Sequence, residues 1–456
     1  LIHTDFDTDA SRQDILKSSA RNIRLLDGIA ETFIKATSQF CEHSTLRYQW
    51  MRYLPQQSDY PWDDFWGKLL EKIRLGLQET PVLWTRSHNS LLRIQAIRRL
   101  RHDMFDEEGN PLFPDSTPEC YLAAEYSVTD LKRLKNYGLK TMPVKTFLEK
   151  VRLDLDKDSD SYVKASSTDE DWHSRLAKFL ISAGEVYSFD VKSLGIVPLV
   201  GGIWTQSWNT SIYYSHVKGY PIPTGLGLNL VDPQAEKNPQ RKQLFDSLGV
   251  ENPKISDIRK LILDKYNYTS ITVQDLATSR NHLNFLYLTA HLDMAHESTE
   301  SISYPCLHIL DQKCRCKRPR DNRVYFSDDK PYGAWHLFQD VGYNTMSQRV
   351  DPEFDVSFIH DEYMENPPSQ PEGEHRNWST WLRDLLHIRN FIPLFTNNGL
   401  FTPNYRLSGE CIYVVEHHPE KFIGFLLENW KESDCEEIHK TPGPTTDLLQ
   451  LEVLCE

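Results

Sequence analysis

The chain has 456 residues, which exceeds what one hydrophobic core supports and suits roughly three or four domains or repeat units. With 65 acidic against 51 basic residues the net charge is -14, which argues against a general nucleic-acid binder, since that function needs a positive footprint. Eleven Trp, 21 Tyr and 20 Phe supply enough buriable area to exclude a disordered chain, and eight Cys are too few for a secreted disulfide scaffold.

In chain order, Leu1-Ile2-His3 reads as the end of a strand, and Ser11 as an N-cap with Asp14 three residues on, so a helix is expected from about Ile15. A second long helix carries Leu25, Leu26, Ile29, Phe33, Ile34 and Phe40 at helical spacing. After Pro55 and Pro61, the residues Trp62, Phe65, Trp66, Leu69 and Ile73 predict another amphipathic helix, with both Trp serving as core anchors. Pro81 to Thr85 reads as a strand, Leu91 to Met104 as a helix, and Asp106 to Pro111 as a turn. The Asp- and Ser-rich stretch from Asp154 to Asp171 reads as an exposed connector before a helix at Trp172 to Leu180.

Ile196 to Leu199 then predicts a strand that turns at Gly201-Gly202 and returns through Trp204. A further strand start is expected at Cys306 to Asp311, and Glu365 to Arg376 (ENPPSQPEGEHR) has linker composition. Trp378, Trp381, Leu382 and Leu385 predict a helix, Phe391 to Phe395 a strand, Asn397 to Gly399 a turn, and Glu420 to Trp430 a helix opened by Pro419. From Lys431 the composition is polar. No apolar run approaches the roughly 20 residues of a membrane span, which with the sparse cysteines suggests an intracellular, cytoplasmic or nuclear, setting. The absence of an initiator Met and the Cys455-Glu456 end suggest a piece of a longer protein.

An internal echo organises these elements. Leu244 to Val250 (LFDSLGV) and Leu337 to Tyr343 (LFQDVGY) share one pattern, each after an aromatic strand, at Ile212-Tyr213-Tyr214 and Val324-Tyr325-Phe326. A weaker copy runs from the Tyr121–Tyr126 stretch to Leu134–Leu139, its leucine one residue closer to Gly138. Repetition of this kind marks an arrayed architecture. The expectation is an α+β, multi-unit fold of strand hairpins plus helices, with Gly249 and Gly342 at left-handed helix ends. Its expected divisions are an opening segment at 1–54, units at 55–150, 151–290 and 291–364, a linker at 365–376, a partial unit at 377–430 and a polar tail at 431–456.

No reaction is named by the residues themselves. Cys306, His308, Cys314 and Cys316 are the best metal candidates, but Cys-x-His and Cys-x-Cys are tight for a tetrahedral zinc site and read as a reduced turn. Glu416, His417, His418 and Glu420 match no spaced metal pair, and Asp171, His173 and Ser174 do not form a triad by adjacency. Gly225-Leu226-Gly227 lacks the rest of a phosphate loop. The basic runs Arg93–Arg101 and Lys313–Arg323 read as a solvated helix face and a basic hairpin.

The segment Ser11-Arg12-Gln13-Asp14-Ile15-Leu16, then Ile23 and the run from Leu25 to Phe40, resembles the Ser-Arg-Glu-x-Leu segment and long helix of the ninety-kilodalton heat-shock chaperones. With Asp5-Phe6-x-Thr8-x-Ala10 before it, the stretch is closer to the sacsin-like and NO VEIN-like proteins that carry an Hsp-type (GHKL) ATPase module. Val197 to Trp204 and Leu244 to Val250 look similar to regions downstream of that module in large fungal members. The resemblance implies that Arg12 reaches the γ-phosphate of ATP, as a planar cation suits developing transition-state charge. Two departures stand beside it: Leu16 replaces the family's glutamine, and the nucleotide-pocket motifs do not occur in these residues. ATP and Mg are therefore expected in an upstream domain, with no cofactor and no metal in this chain. The implied role is a non-catalytic scaffold that binds protein partners or clients, without membrane or nucleic acid; a free-standing enzyme or zinc protein is the alternative.

Overall fold

The computed structural model describes residues 2–56, 58, 63–87, 90–115, 119–165, 168–267, 275–292, 304, 306–328, 330–339, 356–397 and 405–430. The fold is α+β, with short strands and small sheets distributed among helices. It divides into two compact units, Leu1–Ile212 with Val231–Glu251, and Tyr213–Leu230 with Asn252–Glu456.

The first helix runs Ala20–Glu42 and is capped by Ser19, whose side chain accepts from the Asn22 N–H. Ser11 does not open a helix, contrary to the sequence expectation. The Asp9 carboxylate takes the Ser11 hydroxyl and the Gln13 N–H, closing a local turn in which Arg12 has φ 54°. Short polar side chains offer the backbone this alternative to helix, and here it wins. The buried Asn22 ties the turn down, bonding Asp7 and the Leu16 carbonyl. The helix Asp64–Glu79, capped by Asp63, packs against the first helix. Leu26, Ala30, Phe65, Leu69, Ile73 and Leu77 form that core with Val82, Ile94 and Ile97.

The region expected as a helix from Leu91 to Met104 is instead strand, 3₁₀ turn and strand. Leu91–Leu92 pairs antiparallel with Leu83–Trp84, Ile94–Ala96 is a 3₁₀ turn, and Ile97–Arg99 pairs parallel with Cys120–Tyr121 and with Lys140–Thr141. The three-residue spacing of Leu91, Ile94, Ile97 and Leu100 imitates a helix, yet a 3₁₀ turn between strands serves it equally well.

These pairings define a motif that recurs. A hairpin is followed by a central strand; a bridging strand lies parallel to the centre and touches the hairpin antiparallel; after helix, a closing segment returns to the other side of the centre. In the first copy the hairpin touches the bridging strand through Thr85 and Leu122. In the third, the hairpin is Ile309–Leu310 with Cys316–Lys317, touching Ile359 through Asp311, and the centre Arg323–Tyr325 lies parallel to Val356–Phe358 and to Arg389. The second copy has the hairpin Val197–Pro198 with Trp204–Thr205, the antiparallel bridge Leu199–Val231, and a closing bond from the Glu251 N–H to the Ile212 carbonyl. A fourth hairpin, Phe395–Asn397 with Tyr405–Leu407, follows the third copy.

One left-handed residue precedes each closing segment by two positions: Gly138 (φ 103°), Gly249 (φ 92°) and His387 (φ 64°). At the first two, the N–H groups of Leu139 and Val250 reach back to the Leu134 and Phe245 carbonyls, while Gly138 and Gly249 bond Lys135 and Asp246. This double bond pattern is the Schellman ending, completed by apolar contact across the turn. Phe245 therefore corresponds to Leu134, which explains the one-residue offset in the sequence echo. The Leu337–Tyr343 segment is not equivalent, because its helix Ala334–Phe338 lies between the central and bridging strands. Gly342 itself lies outside the described residues, as does the tail from Lys431.

Further elements lie outside the sequence expectations. Helices at Val144–Leu155, Ile255–Asn267 and Leu276–Leu288 were not anticipated. The connector after Asp154 is anchored rather than loose: Asp154 is buried and accepts from the Ser161 hydroxyl and the Tyr162 and Val163 N–H groups. Glu365–Arg376 lies within the second unit, where the Tyr287 hydroxyl donates to the Arg376 carbonyl and Glu374 pairs with Arg376 at 2.9 Å.

Candidate functional site

The chain passes from the bridging strand on one side of the centre to the closing segment on the other. The loops leaving the carboxyl ends of these strands therefore diverge, and a crevice at such a point is where ligands settle in open α/β sheets. Both the first and the third copies have one there.

The third-copy cleft, about 520 Å³, is lined from the centre by Ser327, Asp328 and Lys330, from the bridging side by Asp361, and from the helix Trp378–Leu386 by Thr380 and Arg383. The Gln312 amide donates to Ser327 Oγ at 2.8 Å and Asp361 Oδ1 at 3.1 Å, fixing the rim. Asp328 Oδ1 is buried without a hydrogen-bond partner among the described residues. Burial pushes its carboxyl above the usual range, against the pull of Lys330 3.7 Å away, and Glu428 adds to the push. Ser327 Oγ donates to Asp361 Oδ1 at 3.3 Å, and no histidine is among the described lining residues.

The first-copy cleft, about 430 Å³, has a different character. Arg86, Arg99 and His102 line it with Phe105, Leu100 and Val128, and no acidic side chain is among its described lining residues. Arg86 is held by the Gly109 carbonyl at 2.6 Å and lies 5.5 Å from the Phe105 ring centroid. The basic run of the sequence resolves here. Arg93 pairs with Glu79, Arg98 with Glu119 and Arg101 with Asp103, whereas the Arg99 guanidinium, half-buried, has no hydrogen bond or ion pair among the described residues. Sequence reasoning missed it by reading a helix face, where all four arginines look alike; a strand sends Arg98 and Arg99 to opposite sides.

A third feature is apolar. In the first unit Phe189 (60% exposed) and Trp208 (44%) meet edge to face at 5.0 Å, with Val186 and Ile203 also exposed. In the second unit Ile423, Leu427 and Trp430 form an exposed stripe at i, i+4, i+7, opposite the buried Phe422 and Phe425.

The sequence candidates are dispersed. Arg12 is exposed, and its side chain makes no hydrogen bond or ion pair among the described residues. Cys306, His308, Cys314 and Cys316 share the hairpin region, yet among the described residues no three His, Cys, Asp or Glu groups are placed to hold a metal ion. His417 stacks on Tyr413 at 4.2 Å, and His418 lies 3.9 Å from Glu420. His173 is buried while Ser174 donates to the Glu170 carbonyl, so the two do not converge. The Gly225 carbonyl accepts from Lys265 Nζ at 2.7 Å. Among the described residues no helix is long and apolar enough to cross a membrane.

Comparison with known protein families, curated proteins and solved structures finds no match.

Proposed function

We propose that this chain is a partner- or client-binding region, non-catalytic by itself, of a larger intracellular sacsin-like, chaperone-type ATPase protein. The observation that supports it is the exposed Phe189–Trp208 pair with Val186 and Ile203 beside it in sequence. Contiguous exposed apolar surface marks protein interaction sites, and Trp is enriched among the residues that carry binding energy. The occupant this surface suits is an apolar segment of an unfolded client. Arg12, on a turn before the first helix, is free to reach a nucleotide held by an upstream domain, which would bring ATP and Mg.

The test is light scattering of a thermally unfolding client enzyme with the chain at equimolar ratio. The chain should delay aggregation, and Phe189→Ser with Trp208→Ser should remove most of the delay. Because both side chains are exposed, the melting temperature of the double variant should move little. Equal protection by the variant refutes the assignment.

A further inference from the structure

We infer that the first-copy cleft binds a phosphate monoester carried on an apolar or aromatic group. Three features converge on that chemistry. Arg86 and Arg99 bring two permanent positive charges to a crevice whose described lining has no acid, and His102 adds an imidazole. A guanidinium presents a rigid fork of N–H donors matched to phosphate oxygens. Arg99 is already half desolvated yet unpaired among the described residues, while its three basic neighbours in sequence all have carboxylates. A phosphate monoester carries roughly -1.5 to -2 charges near pH 7, which balances two arginines better than a single carboxylate does.

The rest of the cleft specifies what bears the phosphate. Leu100, Val128 and Leu131 give it an apolar wall, and Phe105 lies beneath Arg86. A volume of about 430 Å³ falls in the range that holds one small organic ligand or one aromatic side chain. Arg86 is preorganised by the Gly109 carbonyl and the Phe105 ring, so closing on the ligand costs it little side-chain freedom. This site goes beyond the client-holding role and shares no residue with the Phe189–Trp208 surface, so either assignment can fail alone.

Titration calorimetry of the whole chain at low salt with phenyl phosphate tests it. Saturable one-to-one binding is expected, weakened at least tenfold by Arg99→Gln and by Arg86→Gln, and unchanged by Arg93→Gln, whose partner is Glu79 outside the cleft. Arg99→Lys, which keeps charge without the fork, should fall between, and unchanged circular dichroism melts certify that each variant is folded. A phosphotyrosine peptide separates the sources: tighter binding than phenyl phosphate assigns the site to a partner's phosphorylated side chain, and equal or weaker binding to a free ester. Absence of saturable phenyl phosphate binding overturns the inference, as does affinity indifferent to both arginine substitutions. Inorganic phosphate binding as tightly as phenyl phosphate overturns the role of the apolar wall.

Discussion

The three left-handed residues that close the repeats carry opposite predictions at equivalent positions. At Gly249 an added Cβ meets nothing within 4 Å, so Gly249→Ala reports backbone conformation alone. Holding an L-residue left-handed costs about 1–2 kcal/mol, partly offset by about 0.5–1 kcal/mol because alanine loses less freedom on folding. The net expectation is a loss of about 1 kcal/mol. His387 already bears that strain at φ 64°, its side chain is exposed, and no hydrogen bond of that side chain is seen among the described residues. His387→Gly should therefore stabilise, by about 0.5–1 kcal/mol, with histidine's tolerance of this region keeping the gain at the low end. Urea denaturation followed by tryptophan fluorescence measures both, as shifts in midpoint at constant slope. Hydrogen exchange at the Val250 amide, which bonds the Phe245 carbonyl, localises the first effect. A neutral Gly249→Ala or a destabilising His387→Gly would refute the claim that these positions require a left-handed backbone and are structurally equivalent.

Acid should destabilise both units through histidines buried in neutral form. Burial, with Lys265 adding, holds His282 down at about 4, and burial, with Arg241 adding, does the same to His173. Between pH 6.5 and about 4 the unfolded chain binds a proton at each that the native chain does not, so stability falls as pH falls, by about 1.4 kcal/mol per unit per histidine. At pH 5 that is about 2 kcal/mol each, and His282→Gln, which keeps an acceptor for the Tyr266 hydroxyl, should flatten the pH dependence of the melting temperature from 7 to 5. An unchanged slope refutes the assignment. For Arg12, the expectation is that Arg12→Ala in a protein carrying the upstream ATPase domain lowers turnover with little change in nucleotide affinity, and costs the present chain less than about 1 kcal/mol; a variant that unfolds early but turns over normally makes Arg12 structural.

The sequence made the repeat visible but not its register. Strand starts near Pro81, Ile196 and Cys306 were legible because β-branched and aromatic runs are bounded there by turn residues, and each proves to be the first hairpin strand of a copy. The Gly249 ending was legible because glycine after a leucine-bearing helix has one common use. His387 was not, since histidine rarely signals a left-handed residue, and without it Leu337–Tyr343 looked like the missing match. The clefts were illegible for a related reason: their lining comes from loops after strands two or three residues long, whose periodicity is too brief to show which side a residue takes.

The two clefts also show why the repeated frame and the function separate. The frame is set by backbone pairing and by a left-handed turn, which constrain few side chains. In the first copy the residues that follow Arg98, which pairs with Tyr121, are Arg99, Leu100 and Arg101; in the third those that follow Tyr325, which pairs with Phe358, are Phe326, Ser327 and Asp328. Each set follows the same strand position, yet one contributes the Arg99 guanidinium and the other a buried carboxyl to its crevice. Loops at the carboxyl ends are free to vary because no ladder bond depends on their side chains. Exchanging His102 for an acid should therefore leave the first sheet folded while weakening the preference of its cleft for anions, whereas substituting Ile97, fully buried in the central strand, should cost stability without a selective effect on ligand.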